Sequence, residues 1–186
     1  MNPLLDKVAG LIYLKHIMIN TPHLEIKPFT LDDAEAFLQL SQDDGFNLFP
    51  INNYRQANLA TSLEWIKAAM NLNQKTGMGK WGVWEVSSKN LIGIGGLTPW
   101  VWDHEDLVDI TYRLRESAWG KGYGLELAAA LWAFGFNQLG LKEITATITP
   151  DNMASKKIAH KLGMNFDQTI ELLGVETELY KLKRSF

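Results

Sequence analysis

The chain has 186 residues, and 46% of them are hydrophobic, which is enough for a single domain with a full core. Its net charge of −3 and its pI of about 5.8 do not indicate a nucleic-acid-binding protein. It contains no cysteine, so disulfides, thiolate metal sites and a cysteine nucleophile are excluded.

Residues 1–20 are predicted to form an N-terminal extension to one main domain, residues 21–186. The run from Leu4 to Ile19 is moderately apolar and interrupted by charges, and we interpret it as an additional helix packed on the domain. It lacks the charged start and the cleavage site of a signal peptide, and no run is apolar for long enough to cross a bilayer. We therefore expect a cytoplasmic protein with no membrane partner. An alternative is that Met18 is the natural start.

The hydrophobic periods along the chain predict strands and helices in a defined order. Thr30, with Asp33 three residues later, is typical of a helix start. Glycines 93, 95 and 96 indicate a bulge or a close backbone approach within a strand. The predicted strands are 23–29, 80–87, 91–100, 107–115, 141–149, 164–173 and 175–183, and the predicted helices are 34–40, 56–73, 125–139 and 153–162.

This order, β-α-α-β-β-β-α-β-α-β-β, predicts an α/β (α+β) fold. The sheet is expected to be mixed and mostly antiparallel, with about seven strands and with helices on both faces. No internal repeat, low-complexity segment or linker interrupts the order.

A glycine-rich loop, Trp119-Gly120-Lys121-Gly122-Tyr123-Gly124, joins a predicted strand to a predicted helix. Such a loop directs several backbone N–H groups at one point, and the helix dipole adds partial positive charge there, so the loop suits a phosphate. Lys121 is not followed by the Ser or Thr of a triphosphate-binding loop, and Leu125 stands where a dinucleotide fingerprint needs glycine. A plain glycine-rich turn is the alternative.

The loop resembles the pyrophosphate loop of the GNAT superfamily of acyl-CoA N-acyltransferases. That loop reads Gln or Arg, two residues, Gly, any residue, and Gly or Ala. Gly122 and Gly124 match its last two positions, and Trp119 stands where Gln or Arg is usual. Trp-Gly-Lys-Gly-Tyr is similar to the variant of the RimJ/RimL-type branch, which acetylates N-terminal amines of ribosomal proteins.

A second motif lies one strand after the loop and resembles the same branch. It reads Asn152-Met153-Ala154-Ser155, followed by Lys161-Leu162-Gly163-Met164. The branch usually shows Asn-x-x-Ser and then Lys-Leu-Gly-Phe, so Met164 departs from the pattern but stays apolar. Asn152 is also an ordinary helix N-cap residue, which is the structural alternative. The order of elements is the GNAT order, and the resemblance covers residues 23–184.

The resemblance implies an N-acetyltransferase that takes acetyl-CoA as co-substrate and transfers its acetyl group to a primary amine by direct attack. A protein N-terminal α-amine is the acceptor that the branch implies, and a small-molecule amine is the alternative. Two further hypotheses are a non-catalytic acyl-CoA-binding module and a structural domain without a ligand. The resemblance also implies a monomer or a homodimer.

The resemblance implies that two parts of the chain hold the co-substrate. The amides of residues 120–124 would take the pyrophosphate, and the backbone of 112–114 would pair with the pantetheine as an added strand, once the strand 141–149 splays away. The predicted binding residues are Tyr112, Arg113, Leu114, Trp119, Gly120, Lys121, Gly122, Tyr123, Gly124, Asn152 and Ser155. For Lys156 and Lys157, contact with the ribose phosphate and a role as plain surface charges both stay open.

The acceptor amine has to lose a proton, because α-amines titrate near about 8 and lysine near about 10.4. Asp109 is the predicted base, since it stands where many relatives carry glutamate, and a solvated carboxylate is the alternative. His104, Glu105 and Asp106 are reserve candidates.

The leaving thiolate needs a proton or a hydrogen bond. Ala159 stands where many GNAT enzymes have an acidic tyrosine, so Ser155 is predicted to serve as the donor. Phe46, Phe49 and Tyr54 either line the acceptor cleft or belong to the core. No metal site is predicted, because no His-x-x-x-His and no cluster of carboxylates has ligand spacing.

Overall fold

A computed structural model describes residues 18–49 and 54–184 of the chain. The described residues form one sheet of eight strands with four α-helices. The strands are β1 (Ile19–Asn20), β2 (Leu24–Lys27), β3 (Gly79–Glu85), β4 (Leu91–Trp102), β5 (Glu105–Leu114), β6 (Glu143–Ile148), β7 (Asn165–Leu172) and β8 (Val175–Lys183). The helices are α1 (Ala34–Ser41), α2 (Leu59–Thr76), α3 (Tyr123–Asn137) and α4 (Met153–Lys161).

The strands lie in the order β1-β2-β3-β4-β5-β6-β8-β7, and only the β5–β6 pair is parallel. The prediction of a mixed, mostly antiparallel sheet is thus confirmed. The sheet has one strand more than predicted, because β1 is a two-residue pairing of Ile19 with Ile26 that is too short to show a period. Ile19, predicted to end an additional helix, belongs to this strand instead; residues 4–17 of that run lie outside the described residues.

Two hydrophobic cores lie on opposite faces of the sheet, which confirms helices on both faces. On one face, α3 packs Leu127 and Phe134 against the sheet. On the other face, α1 and α2 contribute Phe37 and Ile66. The glycines of β4 serve the predicted close approach, since a Cβ added at Gly95 would lie 2.9 Å from Leu127 Cδ1.

The ends of the elements agree with the sequence pattern at the start of the first helix and differ from it between β4 and β5. The backbone N–H of Thr30 donates to Asp33 Oδ2 at 2.7 Å, as expected of a capping pair. The connection between β4 and β5, predicted as residues 101–106, is shorter than predicted. Asp103 and His104, with φ of 46° and 63°, form a two-residue turn. Both β4 and β5 therefore extend closer to this turn than the sequence pattern indicated.

The parallel neighbours β5 and β6 separate along their length. They pair at one position, Asp109 with Thr145, whereas β5 stays paired with β4 through Leu114. The edge of β5 that faces β6 is consequently open after Asp109. This is the splay that was expected between the two strands, and it lies directly before the glycine-rich loop.

Candidate active site

Two cavities meet at the opening between β5 and β6. The larger, which we call the loop groove, has a volume of about 740 Å³ and runs between the glycine-rich loop, the end of β5 and the start of α4. The smaller, which we call the sheet pocket, has a volume of about 310 Å³ and lies against β3, β4, β5 and β6. The residues that line both cavities are Phe49, Tyr112, Arg113, Asn152 and Ser155.

The backbone of the glycine-rich loop is open to the loop groove. Gly120 and Gly122 have φ of 75° and 84°, and a Cβ at either position would meet no atom within 4 Å. Left-handed backbone, and not crowding, therefore requires glycine there. No side chain caps the first turn of α3, so its N–H groups and the positive end of the helix dipole are available to an anion.

The side chains of the loop mostly anchor it to the body of the protein. Trp119 Nε1 donates to the carbonyl oxygen of Leu114 at 2.9 Å, and the Tyr123 hydroxyl donates to Glu85 Oε1 at 2.9 Å. Lys121 Nζ lies 3.4 Å from the same carboxylate oxygen. The Lys121 side chain does not line the loop groove, so only its backbone can serve the predicted binding role. The predicted loop residues that do line it are Trp119, Gly120, Gly122, Tyr123 and Gly124.

The Arg113 side chain ties the loop before residue 50 to β5. Its Nη1 donates to the carbonyl oxygens of Phe46 and Phe49, at 3.2 and 3.0 Å, and its guanidinium carbon lies 5.0 Å from the centre of the Tyr54 ring. Phe46 and Tyr54 are buried in a core, and each also lines one cavity, whereas Phe49 lines both. Phe46 and Tyr54 are thus core residues, and the lining of an acceptor cleft by these aromatic residues stays a prediction. Leu114, another predicted binding residue, also lines the loop groove.

Asp109 lies in the sheet pocket at the one point where β5 pairs with β6. Its two oxygens accept hydrogen bonds from Thr145 Oγ1 and Thr147 Oγ1, both at 3.1 Å. Burial raises the pKa of Asp109 from 3.8 to about 7, although these hydrogen bonds and the charge of Lys80 act against the rise. Near neutral pH the carboxyl can therefore accept a proton and release it again.

The Tyr112 side chain is a feature of the site that the sequence reasoning missed, since only its backbone was assigned a role. Burial raises the pKa of this phenol to about 12; a hydrogen bond from Ser155 opposes the rise and the charge of Asp109 adds to it. The phenol is thus protonated at neutral pH and lies where the two cavities join. The available signal was a tyrosine on the same strand as the predicted base, close to the loop.

The start of α4 places Asn152 and Ser155 at the junction. Asn152 Oδ1 accepts from the backbone N–H of Ser155 at 3.0 Å, so Asn152 is the N-cap of the helix and also lines both cavities. Ala159 is buried and offers no proton. The N-cap interpretation is confirmed, and the predicted contact of Asn152 with the co-substrate stays a prediction.

Three lysines of α4 differ in their surroundings. Lys156 Nζ donates to Glu178 Oε1 at 2.8 Å and does not line the loop groove. Lys157 does line it, and so does Lys161, which the sequence reasoning did not consider. The four-residue spacing of Lys157 and Lys161 on one helix face was the signal that could have found the second lysine.

The reserve base candidates are not brought to the site. His104, Glu105 and Asp106 lie at the β4–β5 turn, line neither cavity, and Glu105 Oε2 lies 3.9 Å from Lys181 Nζ. Within residues 18–49 and 54–184, no three acidic or histidine side chains are grouped to hold a metal ion. No helix in the same ranges has the length and apolar character needed to span a membrane.

Residues 23–165 match the family model of the acetyltransferase (GNAT) domain. The chain belongs to the GNAT acetyltransferase family. It is similar to the uncharacterized N-acetyltransferase YoaA of Bacillus subtilis, with 29% identity over 147 residues that cover 78% of this chain and 81% of YoaA. The protein is accordingly a GNAT-family N-acetyltransferase.

Solved structures show the same fold. RimL, a ribosomal-protein α-N-acetyltransferase in complex with coenzyme A, has a TM-score of 0.75 and 15% identity, over 90% of this chain and 98% of RimL. Ribosomal-protein-S5-alanine acetyltransferase from Vibrio fischeri has a TM-score of 0.76 and 15% identity, over 90% and 96% of the two chains. The GNAT family uses acetyl-CoA. The loop groove fits acetyl-CoA, because uncapped amides, left-handed glycines and an open strand edge lie along it.

Proposed function

We propose that this GNAT enzyme transfers the acetyl group of acetyl-CoA to the primary amine of a small acceptor bound in the sheet pocket. The observation that carries the proposal is the position of Asp109, a carboxyl in the sheet pocket beside the junction with the loop groove. The pocket has a volume of only about 310 Å³ and has aromatic walls that include Tyr54 and Trp100, which favours a small acceptor. A protein N-terminal amine is the second candidate, supported by the sequence resemblance and by the names of the structural neighbours.

Residues of the loop groove would hold the co-substrate. The amides of 120–124 would take the pyrophosphate at the uncapped start of α3. The open edge of β5 at 112–114 would pair with the pantetheine amides, as an added strand does. Lys157 and Lys161 would supply positive charge for the ribose phosphate. These groups bind and orient the co-substrate so that its thioester reaches the junction.

Bound acetyl-CoA supplies a thioester carbonyl carbon for the amine to attack and a thiolate that leaves. Asp109, as the carboxylate, takes a proton from the acceptor ammonium, so that the nitrogen lone pair can form the new C–N bond. The hydroxyls of Thr145 and Thr147 hold the carboxylate in place.

The leaving side of the reaction is served by the two hydroxyl groups at the junction. The Ser155 hydroxyl, which acts to lower the pKa of Tyr112, would donate to the phenol and leave the phenolic proton available to the sulfur or to the thioester oxygen. As the C–S bond breaks, the phenol would give its proton to the thiolate, and the second proton that the nitrogen loses after the C–N bond forms would return to the phenol. Ser155 thus acts through Tyr112, and not as a strong acid itself.

The first experiment is calorimetric binding of acetyl-CoA to wild type and to Gly122→Asp. The variant places a side chain and a negative charge at the uncapped start of α3, and we expect it to lose binding while staying folded. Gly140→Asp is a matched control, because Gly140 also has a positive φ, of 65°, with open space around a Cβ, and lines neither cavity.

Release of CoA thiol with a panel of amines then tests turnover. Turnover that is lost in Asp109→Asn supports the proposal. Tight co-substrate binding without turnover of any amine would instead favour the non-catalytic binding module.

The cytoplasmic location, the single domain with its extension and the monomeric or dimeric state stay predictions from the sequence.

A further inference from the structure

The sheet pocket contains an ammonium group without a hydrogen-bond or ion-pair partner among the residues that the structure describes. Lys80 lines the pocket, and its Nζ lies 5.6 Å from the centre of the Tyr54 ring, but it makes no hydrogen bond or ion pair there. The other charged residues of the described lining are Asp109 and Arg113. Asp109 is held by two threonines, and Arg113 by the carbonyl oxygens of the loop before residue 50.

The strand register places Lys80 and Asp109 on the same face of the sheet. Lys80 lies opposite Gly96 on β4, and Thr98 lies opposite Asp109. Opposed residues share a face, and so do residues two apart on a strand, so the side chains of Lys80, Thr98 and Asp109 all face the pocket. One molecule can therefore contact both charges.

Three hydroxyl groups of the same lining are also unpaired. Tyr54 Oη, Thr98 Oγ1 and Thr149 Oγ1 are buried without a hydrogen-bond partner in the described part of the chain. Buried polar groups in native proteins are nearly always paired, so several unpaired ones in one cavity indicate a polar ligand. Tyr54 and Thr98 share the pocket lining with Lys80, and a rotation of their side chains would let each hydroxyl donate to an anion bound there.

The charges of the pocket select among amines. When Asp109 takes the proton of the acceptor, the positive charge of Lys80 has no opposite charge among the described residues that line the pocket. A second cationic group on the acceptor would be repelled there, whereas an anionic group would be attracted. The pocket thus disfavours polyamines.

We propose that the acceptor is a small amino carboxylate, with its amine at Asp109 and its carboxylate bound by Lys80. This inference rests on the proposed function and names the substrate class of the same pocket. A carboxylate accepts several hydrogen bonds, which matches an ammonium and two neighbouring hydroxyls. Lys80 thereby determines specificity and takes no part in the proton transfer.

The test compares aliphatic α-, β- and γ-amino acids with their own carboxamides, which keep the amine and lose the charge. CoA thiol release is measured for wild type, Lys80→Met and Lys80→Arg. Lys67→Met is the control, because Lys67 is an exposed lysine of α2 that lines neither cavity.

We expect wild type to prefer at least one amino acid over its carboxamide by about ten- to a hundred-fold in kcat/KM, the range of a charge-assisted hydrogen bond. Lys80→Met should abolish the preference through KM, measured as the ratio of acid to carboxamide within each variant, while Lys80→Arg should keep part of it. A preference that survives in Lys80→Met would overturn the proposal. The same holds if wild type turns over polyamines or carboxamides as well as it turns over the acids.

Product binding gives a second measurement that does not need turnover. Calorimetry of the CoA-loaded protein compares N-acetyl-β-alanine with its carboxamide, and the acid should bind more tightly in wild type but not in Lys80→Met. If no amine is turned over but this difference is present, the proposed function fails while the anion site stands. Equal binding of the two products contradicts the site itself. Turnover of N-terminal peptides but of no free amino acid would overturn the small acceptor.

Discussion

Asp109 and Tyr112 lie on opposite faces of β5 and still line one cavity. They are three residues apart, so the alternation of the strand sends their side chains to different sides of the sheet. Both reach the sheet pocket because β6 leaves β5 at Asp109 and opens a passage through the sheet. Burial raises the pKa of Tyr112, and the charge of Asp109 adds to this rise. Asp109 and the Tyr112 phenol therefore reach the junction of the two cavities from opposite faces of the sheet.

Asp109→Asn should lower kcat by about a hundred-fold to ten-thousand-fold, the range for loss of a general base. The amide keeps the size of the side chain and an acceptor for the threonines, so the fold should be retained. In wild type, kcat/KM should rise as the pH increases through about 7, where Asp109 loses its proton. A thiol-release assay from pH 5.5 to 9 measures both effects. Asp106→Asn, at the exposed β4–β5 turn, is the control, and an unchanged kcat in Asp109→Asn would exclude Asp109 as the base.

The same carboxyl should make the protein less stable at neutral pH than in mild acid. Its pKa is 3.8 when unfolded and about 7 when folded, so between these values the folded state binds more protons. Below about pH 4 the carboxyl therefore does not change the free energy of unfolding. Above pH 7 it lowers the free energy of unfolding by about 4 kcal/mol. Denaturant unfolding gives the free energy of unfolding of wild type and of Asp109→Asn, and the titrating groups that both proteins share cancel in the difference. Between pH 4 and pH 7.5 the variant should become more stable relative to wild type. A constant difference across this range would contradict the raised pKa.

Tyr112→Phe and Ser155→Ala should each lower kcat by about ten- to a hundred-fold, because each removes one hydroxyl from the junction. The double variant should lose little more than Tyr112→Phe, since Ser155 acts through the phenol. Tyr180→Phe is a matched control, because Tyr180 is also a buried tyrosine with a pKa raised to about 12, yet it lines neither cavity. Fully multiplicative losses in the double variant would show that the two hydroxyls act separately.

Lys157→Met and Lys161→Met should each weaken CoA binding by about two- to five-fold, as expected of exposed charge pairs. Dephospho-CoA, which lacks the ribose phosphate, should bind both variants and wild type alike, and added salt should reduce the difference for CoA. Lys156→Met is the control, because Lys156 is paired with Glu178 outside the loop groove. Calorimetry with the two ligands measures these ratios, and an equal loss for CoA and dephospho-CoA would argue against a phosphate contact.

Much of the fold could be predicted because its signals are local. The capping pair of Thr30 and Asp33 and the left-handed glycines of the loop involve residues a few positions apart, whose conformations are set by their neighbours. The long strands and helices carry the period of the face that they bury. The two-residue strand β1 carries no period, so it escaped prediction.

The candidate site was predicted in part. Asp109, Asn152 and Ser155 came from motif positions, and the structure brings all three to the cavities. The Tyr112 phenol and Lys161 were missed, and the Lys121 side chain turns away to Glu85. Nothing near position 121 in the sequence indicates a partner that is 36 residues away.

By itself, the sequence determined the order of the elements, the glycine-rich loop and the strand that carries Asp109. The tertiary structure decided that Lys80, Thr98 and Asp109 share one pocket, because this depends on the register of three strands. It also decided how far β6 leaves β5, and hence where the two cavities join. Hydrophobic period marks which face of a strand is buried, but it does not specify which residues of distant strands lie opposite each other. Burial of Asp109, which raises its pKa into the working range of a base, is a property of that assembled packing and of no local segment.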